Sequence, residues 1–146
     1  MFLFGGHDYV SDEVTANLIA IDVEELLWWY VKVQGGPVDS RIESSMLGID
    51  RRIYIFGGKS LFDEDAPAFA SYSIAEYLPD NGEWRWVVRD HPYPSHLPAL
   101  GSGGRAITVY NGKKILLIPG RSNTYSVGLI FIACLCLSLI FCILSL

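Results

Sequence analysis

Three histidines are the residues of this sequence best suited to proton transfer or metal binding, namely His7, His91 and His96. His91 and His96 are five residues apart in a proline-rich stretch. That spacing fits neither two ligands on one helix face nor a zinc finger. We therefore interpret the histidines as solvated loop side chains.

Two further stretches could bind a charged ligand. The acidic run Asp63-Glu-Asp65, with Asp80 further on, could hold a hard cation, but it lacks the alternating ligands and central glycine of a calcium loop. The glycine-rich stretch 101–105 lacks the Lys-Ser/Thr pair and the helix of a phosphate loop. The sequence therefore predicts no catalytic residue, no cofactor and no metal site, and we expect a protein that is not an enzyme.

Charge and cysteine content narrow the possible partners. The net charge is −5, and no cluster of Lys and Arg is present, which argues against nucleic acid as a partner. The cysteines Cys134, Cys136 and Cys142 all lie near the C-terminus. Residues 1–126 therefore contain no disulfide and no thiolate metal site.

The elements that must position any site are organised as a repeat. A short apolar run that ends in glycine occurs three times, as Phe2-Leu-Phe-Gly-Gly6, Tyr54-Ile-Phe-Gly-Gly58 and, more weakly, Leu116-Leu-Ile-Pro-Gly120. Such a run predicts a buried strand, and the glycines permit the positive φ that lets the chain leave the strand sharply.

Other parts of the unit recur in the same order. An acidic loop follows each Gly-Gly pair, and a strand-like run and then a tryptophan-bearing run (27–33 and 84–89) come after it. A tight polar turn then leads into the next glycine-terminated strand, and in one copy it is Asn111-Gly112, a strong hairpin signal. The pattern predicts four antiparallel strands, repeated about every 50 to 60 residues.

This repeat resembles that of the kelch family of β-propellers. The features that carry the resemblance are Gly5 and Gly6, Gly57 and Gly58, a tryptophan at Trp28 or Trp29 and at Trp84 or Trp86, and the arginines Arg41 and Arg105. The resemblance implies an all-β fold of kelch-type antiparallel four-stranded blades over residues 1–120. The blades span 1–33, 42–89 and 105–118, which makes an incomplete propeller because a closed ring has about four to eight blades.

The resemblance also implies a function. Propellers of this class bind protein partners through loops, and here the loop residues Phe62, Asp63 and Tyr93 are the candidates for binding. Trp29 and Trp86 are expected to fill the space between blades rather than to form a stacking platform. An oxidase or hydrolase on the same scaffold is the disfavoured alternative. Copper oxidases of this class need a cysteine-modified tyrosine, and residues 1–126 contain no cysteine. A truncated or fragmentary product without independent function is the other alternative.

Residues 127–146 have a different character. They form a run of 20 residues without a charged side chain, which as a helix would span about 30 Å, the thickness of a bilayer core. We therefore predict a linker at 121–126 and a single C-terminal transmembrane α-helix at 127–146. Basic residues ahead of it predict that the β part is cytosolic. A glycolipid-anchor signal and a misread coding boundary are the competing interpretations.

Overall fold

The computed structural model describes residues 1–60, 69, 71–93, 104–109, 114–118, 130–134 and 142–144. These residues form strands and turns, with no helix among them. The strands pair antiparallel, apart from one short parallel pairing. The all-β, antiparallel prediction is therefore confirmed for the part of the chain that the structure describes.

The first sheet has three strands in the order β1-β4-β5. Their bounds are β1 Phe2–Phe4, β4 Leu18–Asp22 and β5 Leu27–Tyr30, and a small hairpin, β2 His7–Asp8 and β3 Glu13–Val14, lies between β1 and β4. Leu18 and Ala20 alternate with more exposed neighbours along β4, as expected for a strand with one face on a core.

The second sheet contains four antiparallel strands and one short added strand. In the order of the sheet they are β6 Val33–Gln34, β10 Glu83–Pro92, β9 Ser71–Leu78, β8 Arg52–Phe56 and β7 Ser45–Ile49. The β7–β8 and β9–β10 hairpins turn at Asp50 (φ 53°) and Gly82 (φ 69°). β6 follows the first sheet in the chain, but it pairs in parallel with β10 of the second sheet. The segment after β5 therefore connects the two sheets.

The third sheet has the order β11-β12-β13-β14. Its strands are β11 Arg105–Val109, β12 Lys114–Ile118, β13 Ile130–Cys134 and β14 Cys142–Leu144. All three pairings in this sheet are antiparallel. The third sheet thus continues beyond residue 118, into the range for which the sequence predicts a membrane helix.

The helix predicted at 127–146 is not found where the structure describes this range. β13 and β14 occupy 130–134 and 142–144 instead, and no helix within the described residues is long and apolar enough to cross a bilayer. The physical reason lies in β12, which offers a free strand edge that β13 pairs with from Lys114↔Cys134 to Leu117↔Phe131. A short apolar run fits a buried strand as well as a helix, and composition alone does not distinguish the two.

The three sheets are stacked face to face in the order in which they occur along the chain, and an apolar cluster fills each of the two spaces between them. The first lies between the first and second sheets and contains Leu18, Val38, Ile53, Ile55, Ala75 and Trp86. The second lies between the second and third sheets and contains Tyr54, Phe56, Ala106 and Ile115. The second sheet is therefore covered on both faces, because its strands send alternate residues into the two clusters.

Candidate interaction surface

The last strand of the first sheet exposes large apolar side chains. All four residues of Leu27–Tyr30 are exposed. The exposed fractions of Trp28, Trp29 and Tyr30 are 61%, 51% and 62%. A contiguous group of exposed aromatic residues on a folded protein marks a surface that binds another molecule.

The turn that precedes β5 is fixed by one carboxylate. Asp22 accepts hydrogen bonds from the backbone amides of Glu24, at 2.9 Å, and Glu25, at 3.1 Å. These donors, that of Glu25 first, lower the pKa of the Asp22 carboxyl below its usual value. The bend ends at Leu26, which has a φ of 57°. The turn therefore sets which face each aromatic residue of β5 takes.

An aromatic groove of about 370 Å³ lies between the first sheet and the start of β10. Its lining includes the aromatic side chains of Phe2, Trp29, Tyr30, Tyr77 and Trp84. The ring of Trp84 is 5.3 Å from that of Phe2 and 5.4 Å from that of Tyr77, centroid to centroid. These edge and tilted contacts fix the floor of the groove, whereas Trp29 stands half exposed at its side.

One carboxylate is held at the rim of the aromatic groove. Oε2 of Glu83 accepts hydrogen bonds from Nε2 of Gln34, at 2.7 Å, and from Nδ2 of Asn81. Lys32, which also lines the groove, supplies a charge of the opposite sign. Apolar walls with a few oriented polar groups are typical of a site that binds a side chain of another molecule.

A second groove, of about 320 Å³, opens beside the aromatic groove. Leu18, Val31, Pro37 and Trp86 contribute to its lining, and Tyr30 lines both grooves. The two grooves therefore follow the joint between the first and second sheets, where the chain crosses from β5 to β6.

A fully buried arginine connects the loops of the first sheet to the second sheet. Arg41 is 0% exposed, and its guanidinium donates to the backbone oxygen of Gly57 at 2.8 Å, to Oγ of Ser71 at 2.9 Å and to Oδ1 of Asp90 at 2.6 Å. Asp90 in turn accepts a hydrogen bond from Oγ of Ser73 at 3.0 Å. Buried charges need this kind of pairing because desolvation penalises an isolated ion.

The backbone of Arg41 reaches the first sheet's loops as well. Its oxygen accepts a hydrogen bond from the amide of Gly6 at 2.9 Å, and its amide donates to the oxygen of Thr15 at 3.1 Å. The ring of Phe69 lies 4.7 Å from the guanidinium carbon of Arg41. Arg41 therefore contacts a loop of the first sheet through its backbone and β8, β9 and β10 of the second sheet, near their ends, through its side chain.

The glycines singled out in the sequence lie where the backbone turns out of β1 and β8. Gly5, Gly6, Gly57 and Gly58 have φ values of 70°, 109°, 60° and 88°. A Cβ on Gly5 would clash with the backbone oxygen of Arg41, and one on Gly58 would lie 2.7 Å from the oxygen of Ile42. Both the positive φ and the close backbone approach favour glycine here.

The two tryptophans expected between blades have different surroundings. Trp86 is buried, at 8% exposure, and its ring meets that of Phe4 edge-on at 6.0 Å. Trp29 is 51% exposed and lines the aromatic groove. In the strand pairing, Trp28 lies opposite Ile21 and Trp29 lies opposite Ala20, so the two adjacent tryptophans take opposite faces of the first sheet.

Of the three loop residues predicted to bind a partner, only Tyr93 lies in the part of the chain that the structure describes. Phe62 and Asp63 lie outside them. Tyr93 stacks on Tyr72 at 6.0 Å and packs against the second apolar cluster. Burial raises the pKa of its phenol, which the nearby charge of Arg41 offsets only in part. The ring of Tyr93 therefore serves the packing of the second sheet.

Two of the histidines considered for metal binding lie in the part of the chain that the structure describes. His7 contacts Asp12, with 2.9 Å between Nε2 and Oδ1, while His91 lies against the ring of Tyr72. His96 and the acidic run at 63–65 lie outside the described residues. Among the residues that are described, no three His, Cys, Asp or Glu side chains are grouped to hold a metal ion.

The comparisons with known proteins show a distant similarity to two proteins that are named for a kelch domain. It is 25% identical over 126 residues to kelch domain-containing protein 3 of Rattus norvegicus, and equally so to that of Mus musculus. The match covers 84% of this chain and 31% of each relative, so the chain spans about a third of their length. No family model matches the chain. The likeness to these relatives supports a kelch-like repeat.

Proposed function

We propose that this chain is a kelch-type protein-interaction module that binds a segment of a protein partner in the aromatic groove. The observation that carries the proposal is the half-exposed Trp29 beside the ring pair of Tyr77 and Trp84. The similarity to kelch domain-containing protein 3 supports an interaction module as the class of protein. The proposed role is binding, without a catalytic step.

The chemistry of the aromatic groove suits a partner side chain rather than a small charged metabolite. Tryptophan and tyrosine dominate the binding energy of protein interfaces, because each buries a large rigid surface at a small entropy cost. The rim carries one carboxylate, Glu83, and one ammonium, Lys32, so a partner can be oriented by a polar group of either sign. Phe62 and Asp63 stay a prediction for a second contact at the loops.

A cross-linking experiment on the full chain tests the proposal. An amine-reactive cross-linker, applied in cells to the tagged protein, should yield partner peptides attached to Lys32, which is exposed at the groove. Partner titrations should then show that Trp29→Ala weakens binding about thirtyfold, corresponding to a hot-spot loss of about 2 kcal/mol.

The matched control is Val10→Ala, because Val10 is 97% exposed and lies away from the groove. This variant should bind like the wild type. Equal affinity of the Trp29→Ala variant would refute the groove as the binding site. A wild-type chain that shows no cooperative unfolding transition would instead favour the alternative of a partial product.

Membrane anchoring and a cytosolic β part stay a separate proposal, supported by the uncharged composition of residues 127–146. The pairing of β13 with β12 competes with it, because one segment cannot be both a strand of this sheet and a membrane helix. Carbonate extraction of cell membranes that contain the tagged chain separates the two. Retention in the pellet supports an anchor, and release supports the third sheet.

A further inference from the structure

The first sheet has an apolar face that points away from the second sheet. Leu3 of β1 lies opposite Ile19, Ile19 lies opposite Tyr30, and Ile21 lies opposite Trp28. Residues that lie directly opposite each other on paired strands point to the same side of a sheet. We call this set, Leu3, Ile19, Ile21, Trp28 and Tyr30, the outward face.

The outward face is open to solvent. Leu3 is 47% exposed, Trp28 is 61% exposed and Tyr30 is 62% exposed. The rings of Trp28 and Tyr30 are in edge contact at 5.6 Å, so they form one continuous surface. A patch of this composition on a folded chain is typical of an interface.

The internal repeat shows what happens to the same face in the next copy. Counted back from the Gly-Gly pairs, Leu3 of the first sheet corresponds to Ile55 of the second. Leu3 is 47% exposed, whereas Ile55 is 0% exposed. The position is therefore apolar in both copies but covered only in the second.

The tryptophans give the same result through strand register. Trp28 lies opposite Ile21 in the first sheet as Trp86 lies opposite Ala75 in the second. Trp86 is 8% exposed and Ala75 is 0% exposed. Trp28 therefore occupies the place of a tryptophan that is buried between two sheets.

In the second sheet, the face that contains Ile55 and Trp86 is covered by the first sheet. The covering surface is the face of the first sheet that lies on the other side from the outward face. Phe2 and Phe4 of β1 meet Trp84 and Trp86 edge-on, at 5.3 and 6.0 Å. The repeat thus defines the surface that fits the outward face, which is the far face of another sheet of the same type. That observation specifies the chemistry of the occupant.

In a second copy of this chain, the corresponding face is that of the third sheet which points away from the second sheet, and Ile118 takes there the repeat position of Phe4. Ala106 and Ile115 of the third sheet are buried against the second sheet, whereas Arg105 and Ile118 are exposed, Ile118 at 38%. Three sheets from each of two chains make six, which is within the range of about four to eight blades for a closed propeller.

We infer that two copies of this chain associate head to tail, with the outward face of each packed on the third sheet of the other. A head-to-tail contact of this kind makes a ring if its rotation closes and an open filament if it does not. Tyr30 belongs to both the outward face and the aromatic groove, but Trp28 does not line the groove, so a change at Trp28 tests the outward face alone.

Sedimentation velocity of the full chain over a concentration series tests the inference. The wild type should sediment as two chains. Trp28→Glu and Ile118→Lys should each weaken the dimer at least about tenfold, since charge is placed in an apolar contact. Leu26→Glu is the matched control, because Leu26 is 81% exposed in the same hairpin but outside the outward face, and it should leave the dimer intact.

Mixing the two interface variants gives a sharper readout. One intact contact remains between the outward face of the Ile118→Lys chain and the third sheet of the Trp28→Glu chain, so the mixture should recover two-chain particles. A wild-type monomer at every concentration overturns the inference. A dimer that is lost in Trp28→Glu but kept in Ile118→Lys also overturns it, because that result means that two outward faces pack on each other. A particle that grows steadily with concentration overturns it as well, because that result means an open filament.

Discussion

The buried ion pair between Arg41 and Asp90 gives the most direct test of how the sheets are joined. Asp90→Asn keeps the shape of the side chain and tolerates the positive φ of 42° at this position, because asparagine enters the left-handed region readily. The change removes the charge and also replaces Oδ2, which accepts a hydrogen bond from the amide of Asp39 at 3.0 Å, with an NH2 group that cannot accept one. The guanidinium of Arg41, at 0% exposure, then loses its counter-ion while it remains buried.

The expected magnitude follows from the burial of the two partners. Removing one member of a buried pair costs about 3–5 kcal/mol, and the 24% exposure of Asp90 places the effect at the lower end, about 3 kcal/mol. A domain of this kind has about 5–15 kcal/mol of stability in total. With a urea dependence of about 1–3 kcal/mol per molar, the unfolding midpoint should fall by at least about 1 M.

The assay is urea unfolding followed by tryptophan fluorescence, because Trp86 lies between the sheets that the pair connects. Glu76→Gln is the matched control. It breaks the Arg52–Glu76 pair, whose partners are 50% and 25% exposed, and should cost under about 1 kcal/mol. If Asp90→Asn costs no more than Glu76→Gln, the view that the buried pair holds the sheets together is refuted.

Three further predictions rest on single residues. Gly5→Ala should lower the melting temperature by several degrees, because the new Cβ would clash with the backbone oxygen of Arg41 at a φ of 70°. Gly48→Ala is the control and should change the melting temperature little, because the nearest atom to its Cβ is 3.9 Å away. Calorimetry compares the two variants, and equal melting temperatures would contradict the close approach at Gly5. The carboxyl of Asp22 has a lowered pKa, so its contribution to stability is present above about pH 4 and is lost as the pH falls through the lowered pKa. Thermal unfolding between about pH 5 and pH 2 should therefore depend less on pH in Asp22→Asn than in the wild type. An unchanged dependence would mean that the two amide contacts do not hold in solution. Tyr93→Phe should leave stability unchanged or raise it, because the buried hydroxyl makes no hydrogen bond of good geometry among the described residues, although the backbone of Gly57 is near enough to lower the pKa of the phenol. A loss above about 1 kcal/mol in urea unfolding would show that the hydroxyl is bonded.

Local sequence signals were enough to predict the strands that end in glycine and the tryptophan-bearing strands. The glycines after Phe4 and Phe56 end their strands because positive φ and close backbone approach are properties of one or two residues. The alternation of Trp84 and Trp86 likewise indicates a strand in which every second residue is buried. These features depend on near neighbours, which a sequence displays directly.

Features that depend on distant residues were not predictable in the same way. Asp90 pairs with Arg41 across 49 residues of chain, and nothing near either residue indicates the other. The aromatic groove forms because β6 crosses to the second sheet, and the short run Val33–Gln34 has no distinctive composition. The segment at 130–134 is a strand because β12 has a free edge, which is a property of the sheet rather than of the segment.

The parallel pairing of β6 with β10 has a consequence for aggregation. An uncovered strand edge offers free amides and carbonyls, to which a strand of another molecule can add and start a fibril. Val33 and Gln34 cover part of that edge on β10, opposite Trp84 and Arg85. The edge of β5 has no such cover among the described residues, and its strand is exposed and aromatic, so Leu27–Tyr30 is expected to be one place where a cross-β fibril starts. A lysine introduced within β5 should therefore delay fibril growth more than a lysine within β10.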